Sequence, residues 1–367
     1  MLIVLVILLA MLVGAPVVSA EVAPGPHLAS IELIERKGYA PNLDPEPSVA
    51  LAVIDPSTGR EKLYLRGKID ERKRVVPAPF GTPSWAADGG LIAFTGFDGN
   101  ALKDRIYVVA PDGTNLRPLP RTQNGSDPVL SPDGHLLAFT RSRYRSHINK
   151  NFFKDFKGEP VRVYSSKTTW IVDLAGGKPR RLTPWRNGLY NTPTSFSPDG
   201  TGLLLTKEDD RLDGVRVMRM SLADGATNEV LKGAVEAKYS PDGSRIAFVG
   251  YLHRDIVKAE ENHDYLASEL YVAAANGTGV RRLSRSKGVL ESSPSWDPSG
   301  QRLAYVQLKG DTSFLAGLSN LFPTGNALMQ VNADGTCRKK IASRPSTAFY
   351  GVAWQPGVGR EAGPIIC

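Results

Sequence analysis

The chain has 367 residues, with 45 Lys and Arg against 37 Asp and Glu, five histidines and two cysteines. A chain of this length buries a substantial core without disulfide staples. Its net charge of +8 is not a nucleic-acid footprint, because much of the excess lies in the scattered pairs Arg180-Arg181, Arg281-Arg282 and Lys339-Lys340. Each pair opens an outer strand, where cations discourage edge-to-edge pairing.

Met1 to Val18 is almost wholly apolar, and Val18-Ser19-Ala20 presents small residues just before Glu21. This predicts a secretory signal over residues 1–20 and a single domain over 21–367, exported to the periplasm or the extracellular space. The positive n-region is missing, so an uncleaved anchor is the competing reading. No later stretch is apolar enough to cross a bilayer, and no membrane insertion is expected after cleavage. Cys337 and Cys367, an even pair in an exported chain, predict one disulfide pinning the C-terminal tail.

Strand signals begin at Ile31 to Glu35, which alternates. Val49 to Ile54 leads into the turn Asp55-Pro56-Ser57-Thr58-Gly59, and Lys62 to Leu65 follows as an outer strand. A repeat then takes over. Ala86-Ala87-Asp88-Gly89, Ser131-Pro132-Asp133-Gly134, Ser197-Pro198-Asp199-Gly200, Ser240-Pro241-Asp242-Gly243, Asp297-Pro298-Ser299-Gly300 and the displaced Trp354-Gln355-Pro356-Gly357 are one turn written six times. Proline presets φ, Asp caps the backbone, and Gly takes a positive φ without steric cost. Trp85, Leu130, Phe196, Tyr239, Trp296 and Trp354 stand at these turns, and an apolar run such as Leu136-Leu137-Ala138-Phe139 follows each of the first five. A second hairpin closes each unit around Asp112-Gly113, Gly176-Gly177, Asp224-Gly225, Asn276-Gly277 or Asp334-Gly335.

Four antiparallel strands per unit, repeated radially, predict an all-β fold, a six-bladed β-propeller. No further strands follow Trp354, so the last blade is expected to take three strands from the N-terminus and its innermost strand from the C-terminus. The turn glycines are spaced 45, 66, 43, 57 and 57 residues apart. A blade needs roughly 40 to 45, so the surplus marks insertions at 141–167, 251–268 and 309–326.

The unit, an aromatic, Ser-Pro-Asp-Gly, an apolar run ending Ala-Phe, then Tyr-Val, Asp-Gly and Arg-Leu-Thr or Ser, resembles the repeat of TolB-like β-propellers over about residues 28–360. A full propeller with an export signal and no catalytic motif points to a binding protein of the cell envelope. The chain departs from TolB in the short stretch ahead of the propeller, where TolB carries an α/β domain.

Both turn series are expected on one face of the disc and the insertions on the other, where longer loops concentrate binding. The partner-binding candidates are Arg141, Arg143, Tyr144, Arg145 and His147 on the first insertion, with Asp209, Asp210, Tyr251, His253 and Arg254 on its neighbours. Cations beside exposed aromatics suit a protein or peptide partner, or an anionic polysaccharide. The acidic residues at 208–213 are expected to pair with the basic insertion. The repeated Asp residues read as turn caps. There is no Gly-x-Ser-x-Gly elbow, His-Glu-x-x-His or phosphate-binding glycine loop, and neither a catalytic residue, a metal site nor a cofactor is assigned. The expectation is an exported, non-enzymatic binding or scaffold propeller. The alternative is a metal-dependent, lyase-like carbohydrate enzyme using His147, His253 and His263, since the resemblance extends to oligogalacturonate lyases.

Overall fold

The computed structural model describes residues 27–34, 48–66, 78–98, 103–146, 163–212, 214–250, 268–286, 289–309, 326–343, 347–356 and 364–367. Among these, every regular element is a strand. In chain order they are β1 (Leu28–Ile34), β2 (Ser48–Ile54), β3 (Glu61–Arg66), β4 (Ala78–Trp85), β5 (Ile92–Asp98), β6 (Lys103–Val109), β7 (Arg117–Pro118) and β8 (Gly125–Leu130). There follow β9 (Leu136–Ser146), β10 (Val163–Asp173), β11 (Arg180–Arg181), β12 (Leu189–Phe196), β13 (Gly202–Asp209), β14 (Arg216–Ser221), β15 (Thr227–Lys232) and β16 (Ala234–Tyr239). The last are β17 (Arg245–Gly250), β18 (Glu269–Ala274), β19 (Arg281–Arg282), β20 (Val289–Trp296), β21 (Arg302–Lys309), β22 (Ala327–Asn332), β23 (Lys339–Ser343) and β24 (Thr347–Trp354).

Four sheets have four strands each, in the orders β24-β1-β2-β3, β4-β5-β6-β7, β16-β17-β18-β19 and β20-β21-β22-β23. A fifth holds eight strands, and its two halves meet only where β10 pairs in parallel with β12 at Lys167 and Tyr190. The inner strands β4, β8, β12, β16, β20 and β24 pack in that cyclic order, and β24 returns to β4. β24 also pairs antiparallel with β1, from Leu28 opposite Trp354 to Ile34 opposite Thr347. This pairing joins sequence-distant strands across the seam and leaves no open edge there.

The repeated turn folds for local reasons. In Ser240-Pro241-Asp242-Gly243 the Asp242 carboxylate accepts from the Ser240 hydroxyl at 2.5 Å, the Ser244 hydroxyl at 2.7 Å and the Ser244 N–H at 3.1 Å. Gly243 sits at φ +71°, where a side chain would be strained. Asp133 and Asp199 make the same Ser and backbone contacts. The Ser240 and Ser244 hydroxyls hold the Asp242 carboxyl down to about 2. A group depressed in the folded state contributes stability above its unfolded pKa and loses it as pH falls through the folded one. Acid titration of wild type and Asp242→Asn should therefore converge in melting temperature as the pH drops from 4 towards 2. A gap unchanged across that window would contradict this role.

Core side chains lie between sheets rather than within one. Ala29, Ile31, Leu51 and Val53 pack against Trp85, Ile92, Phe94 and Tyr107, and Leu204, Val217 and Leu231 pack against Ile246, Phe248 and Tyr271. Phe94 stacks on Tyr107 at 5.8 Å and Phe248 on Tyr271 at 5.5 Å. Apolar residues thus occupy both faces of a strand such as β2, with Leu51 and Val53 packed on one side and Ala52 and Ile54 on the other, as stacking sheets around a ring requires.

Candidate binding site at the mouth of the central channel

Inner strands do not run regularly into the channel. Register shifts fall between Phe80 and Ser84, Ser126 and Val129, Pro193 and Ser195, Val235 and Lys238, and Ser292 and Ser295. Such bulges bend and twist a strand locally. They hold Gly81 at φ +77°, Asp127 at +54°, Glu236 at +55° and Ser293 at +54°. Three of these four are not glycine, so left-handed backbone recurs at one depth of the ring despite its cost.

Above the bulges the ring is tied by side chains. Ser84 accepts from the Leu130 N–H at 3.0 Å, Ser195 from Tyr239 at 3.2 Å, and Ser295 from Trp354 at 2.9 Å. The Trp85 indole donates to the Ala353 carbonyl at 3.0 Å and the Trp296 indole to the Lys238 carbonyl at 3.0 Å. A guanidinium from the preceding unit covers each of three rim aromatics: Arg219 at 6.0 Å from Tyr239, Arg245 at 4.9 Å from Trp296 and Arg302 at 5.3 Å from Trp354.

These aromatics and the repeated turns enclose a funnel of about 360 Å³, on the turn face. Its rim includes Trp85, Phe196, Tyr239, Trp296 and Trp354, and its wall includes Lys238. Thr82 lines its foot, and Asp127, Glu236 and Ser293 stand two residues before the lining residues Val129, Lys238 and Ser295. The Thr82 and Ser293 hydroxyls meet at 3.4 Å, and the Ser293 N–H donates to Glu236 Oε2 at 2.6 Å. Thr82 and Ser293 come from strands separated by β24, where Gly351 has no side chain to intervene. A Cβ there would lie 2.5 Å from the Gly81 carbonyl oxygen and 2.7 Å from the Thr82 Cα.

By exposed surface Glu236 and Lys238 are half-buried. A channel wall is open along its bore and crowded on every other side, and the crowding dominates their titration. Burial raises the Glu236 carboxyl, and the Ser293 N–H and Lys238 only partly offset it. Burial lowers the Lys238 ammonium to about 8, against the opposing influence of Glu236 and Asp127.

On the opposite face, β9 and β10 have 11 residues each, against six to eight for their counterparts β13, β17 and β21. Arg141 lies 4.3 Å from the Trp170 ring and donates to the Arg121 carbonyl, and Arg143 lies 5.9 Å from the Trp185 ring. Tyr144 and Arg145 belong to β9, but their side chains lie outside the described residues. His147, Tyr251, His253, Arg254 and His263 lie outside them entirely. Asp209 is held by Arg186, from the link before β12. Arg186 is the main cause of the low pKa of the Asp209 carboxyl. Asp210 is exposed beside it.

Cys337 and Cys367 are joined in the structure, with Cα atoms 5.3 Å apart. The tail is also held by Asn332, which accepts from the Ile365 N–H at 2.7 Å and donates to its carbonyl at 3.0 Å. Non-reduced peptide mapping of the protein is expected to recover one linked peptide pair. Two free thiols would contradict it.

Small antiparallel sheets set radially about a channel, with the first paired to the last strand, define a β-propeller. The chain is 26% identical over 258 residues to the Tol-Pal system protein TolB of Francisella tularensis subsp. tularensis (strain WY96-3418), covering 61% of this chain and 56% of that protein. The TolB of Francisella tularensis subsp. holarctica (strain OSU18) matches at 26% over the same shares. The chain thus spans little more than half the length of the curated relatives it matches. Among solved structures, TolB from Acinetobacter baumannii superposes with a TM-score of 0.61 at 20% identity, over 90% of this chain and 67% of that one. The putative TolB from Agrobacterium tumefaciens gives 0.55 at 15%, over 91% and 100%. No family model matches the sequence. The chain is a TolB-like β-propeller.

The sequence reading missed the funnel. Its rim aromatics pack between units while also lining the cavity. The signal was present in their recurrence beside the turns, but nothing local told that six such positions converge.

Proposed function

We propose that this chain is an exported binding propeller of the cell envelope, with residues 1–20 as its export signal and 21–367 as one domain of six blades. The eight-stranded sheet counts as two blades joined by a single bridge, and the last blade is closed by β24. It holds a protein or peptide partner, and the observation that carries this reading is the aromatic funnel at the channel mouth. Concave, mostly apolar pockets with a few polar groups are the usual form of a binding site. The relatives named as Tol-Pal system proteins support an envelope setting.

The test is selection from a random peptide library against the wild-type protein. Pro198 and Pro241 are exposed rim residues of the repeated turns, so Pro198→Glu with Pro241→Glu places charge at the entrance. Selected peptides are expected to lose at least ten-fold in affinity to this variant, with the melting temperature nearly unchanged. Undiminished binding would exclude the mouth.

A second reading places partner contact on the long β9–β10 hairpin, favoured by the Arg143 guanidinium over Trp185 at the exposed end. Its test is the triple change of Arg143, Tyr144 and Arg145 to Ala, which should weaken partner binding while the rim variant does not.

A further inference from the structure

Lys238 is the only charged residue among those lining the funnel. Its ammonium donates to the Thr194 carbonyl, and among the described residues no carboxylate stands within 4.0 Å of it. The two acids beneath it have partners of their own. Glu236 accepts from the Ser293 N–H, and Asp127 is engaged by Ser126 at 2.9 Å and by Lys167 at 3.8 Å. A crowded ammonium with donors left over and no ion pair is costly unless an anion completes it. The depression of its pKa to about 8 agrees with that incomplete compensation.

The shape limits what such an anion belongs to. The funnel's volume of about 360 Å³ suits a chain end or a side chain rather than a length of threaded chain. An internal Asp or Glu would bring two peptide groups down with it. The serines of the wall are poor partners for those groups, since Ser84, Ser195 and Ser295 already accept backbone N–H groups of the next strand. A C-terminal residue carries a carboxylate and an apolar side chain on one carbon. That combination matches an ammonium one residue below a rim of indole and phenyl rings.

We propose that the funnel recognises the free C-terminal carboxylate of a peptide partner, with Lys238 as its charge partner and the rim aromatics as the pocket for the last side chain. This rests on the reading of the channel mouth as the partner site and specifies which end of the partner enters. Charge-assisted contacts of this kind are stronger than neutral ones, and removing one from a desolvated site typically costs ten-fold or more.

The test uses the exported protein and three short peptides, read by titration calorimetry and by the indole N–H resonances of Trp85, Trp296 and Trp354. The peptides are acetyl-Gly-Leu-Phe with a free carboxylate, the same peptide as its amide, and amidated acetyl-Gly-Asp-Phe. The free acid should bind at least ten-fold tighter than either amide and shift the indole signals. Lys238→Met should abolish that preference, and Lys238→Arg should keep most of it while controlling for folding. Equal binding of acid and amide, a preference that survives in Lys238→Met, parity of the internal Asp peptide, or no binding of the acid would each overturn the proposal. The rim variant separates the two readings. Library-selected peptides lost on charging the rim, with no acid preference, would leave the mouth standing and remove the carboxylate. Selected peptides indifferent to the rim charges would remove both.

Discussion

Arg338→Ala is expected to lower the stability of the fold by about 3–5 kcal/mol, the cost of leaving a buried charge without its partner. Glu291 is fully buried on β20. Its carboxylate accepts from Arg338 at 2.6 Å and from the Leu270 N–H at 3.1 Å, and the Ser284 hydroxyl also donates to it. Ser284 and Leu270 belong to the preceding sheet, so this one carboxylate ties two sheets together. Burial raises the Glu291 carboxyl, offset in part by Ser284 and Arg338. A carboxyl raised in the folded state binds its proton more tightly there than in the unfolded chain. Folding is therefore favoured as the pH falls through that raised value and disfavoured above it. Removing Arg338 raises it further, so the deficit should be largest near neutral pH and shrink on acidification. Chemical denaturation of both proteins at several pH values checks this. A deficit below about 1 kcal/mol, or one independent of pH, would show that the pair contributes little.

Gly351→Ala should cost about 3 kcal/mol, near the upper end for forcing an atom into a filled space. The clash is with backbone, the Gly81 carbonyl and the Thr82 Cα, neither of which can rotate away. Gly134→Ala is the matched comparison. Its φ is +72°, but a Cβ there meets nothing within 4 Å, so only the left-handed backbone is penalised, at roughly 1–2 kcal/mol. Thermal melts should therefore rank Gly351→Ala well below Gly134→Ala. The reverse order would mean that the inner ring has slack to yield.

Much of the fold was legible because its determinants are local. Asp242 finds Ser240 and Ser244 within two residues, and the same chemistry is spelled out afresh at Asp133 and Asp199, so the turns and the strands they join could be read from residue order. The site was not legible for the converse reason. Lys238 is one residue of an unremarkable strand, and it becomes a lone ammonium in a funnel only when β4, β12, β20 and β24 arrive from far along the chain. Loop length drew attention to the face bearing Arg141, Arg143 and Asp209, yet Asp209 proves to be held by Arg186 and Arg141 lies against Trp170. The left-handed residues Asp127, Glu236 and Ser293 carry no sequence mark at all, since nothing in their types demands a positive φ.

The hydroxyl contact between Thr82 and Ser293 skips a strand, lacing β4 to β20 over the gap that Gly351 leaves in β24. Pressure on either strand is therefore shared with one that is not its neighbour, and the wreath yields as a set and not stave by stave.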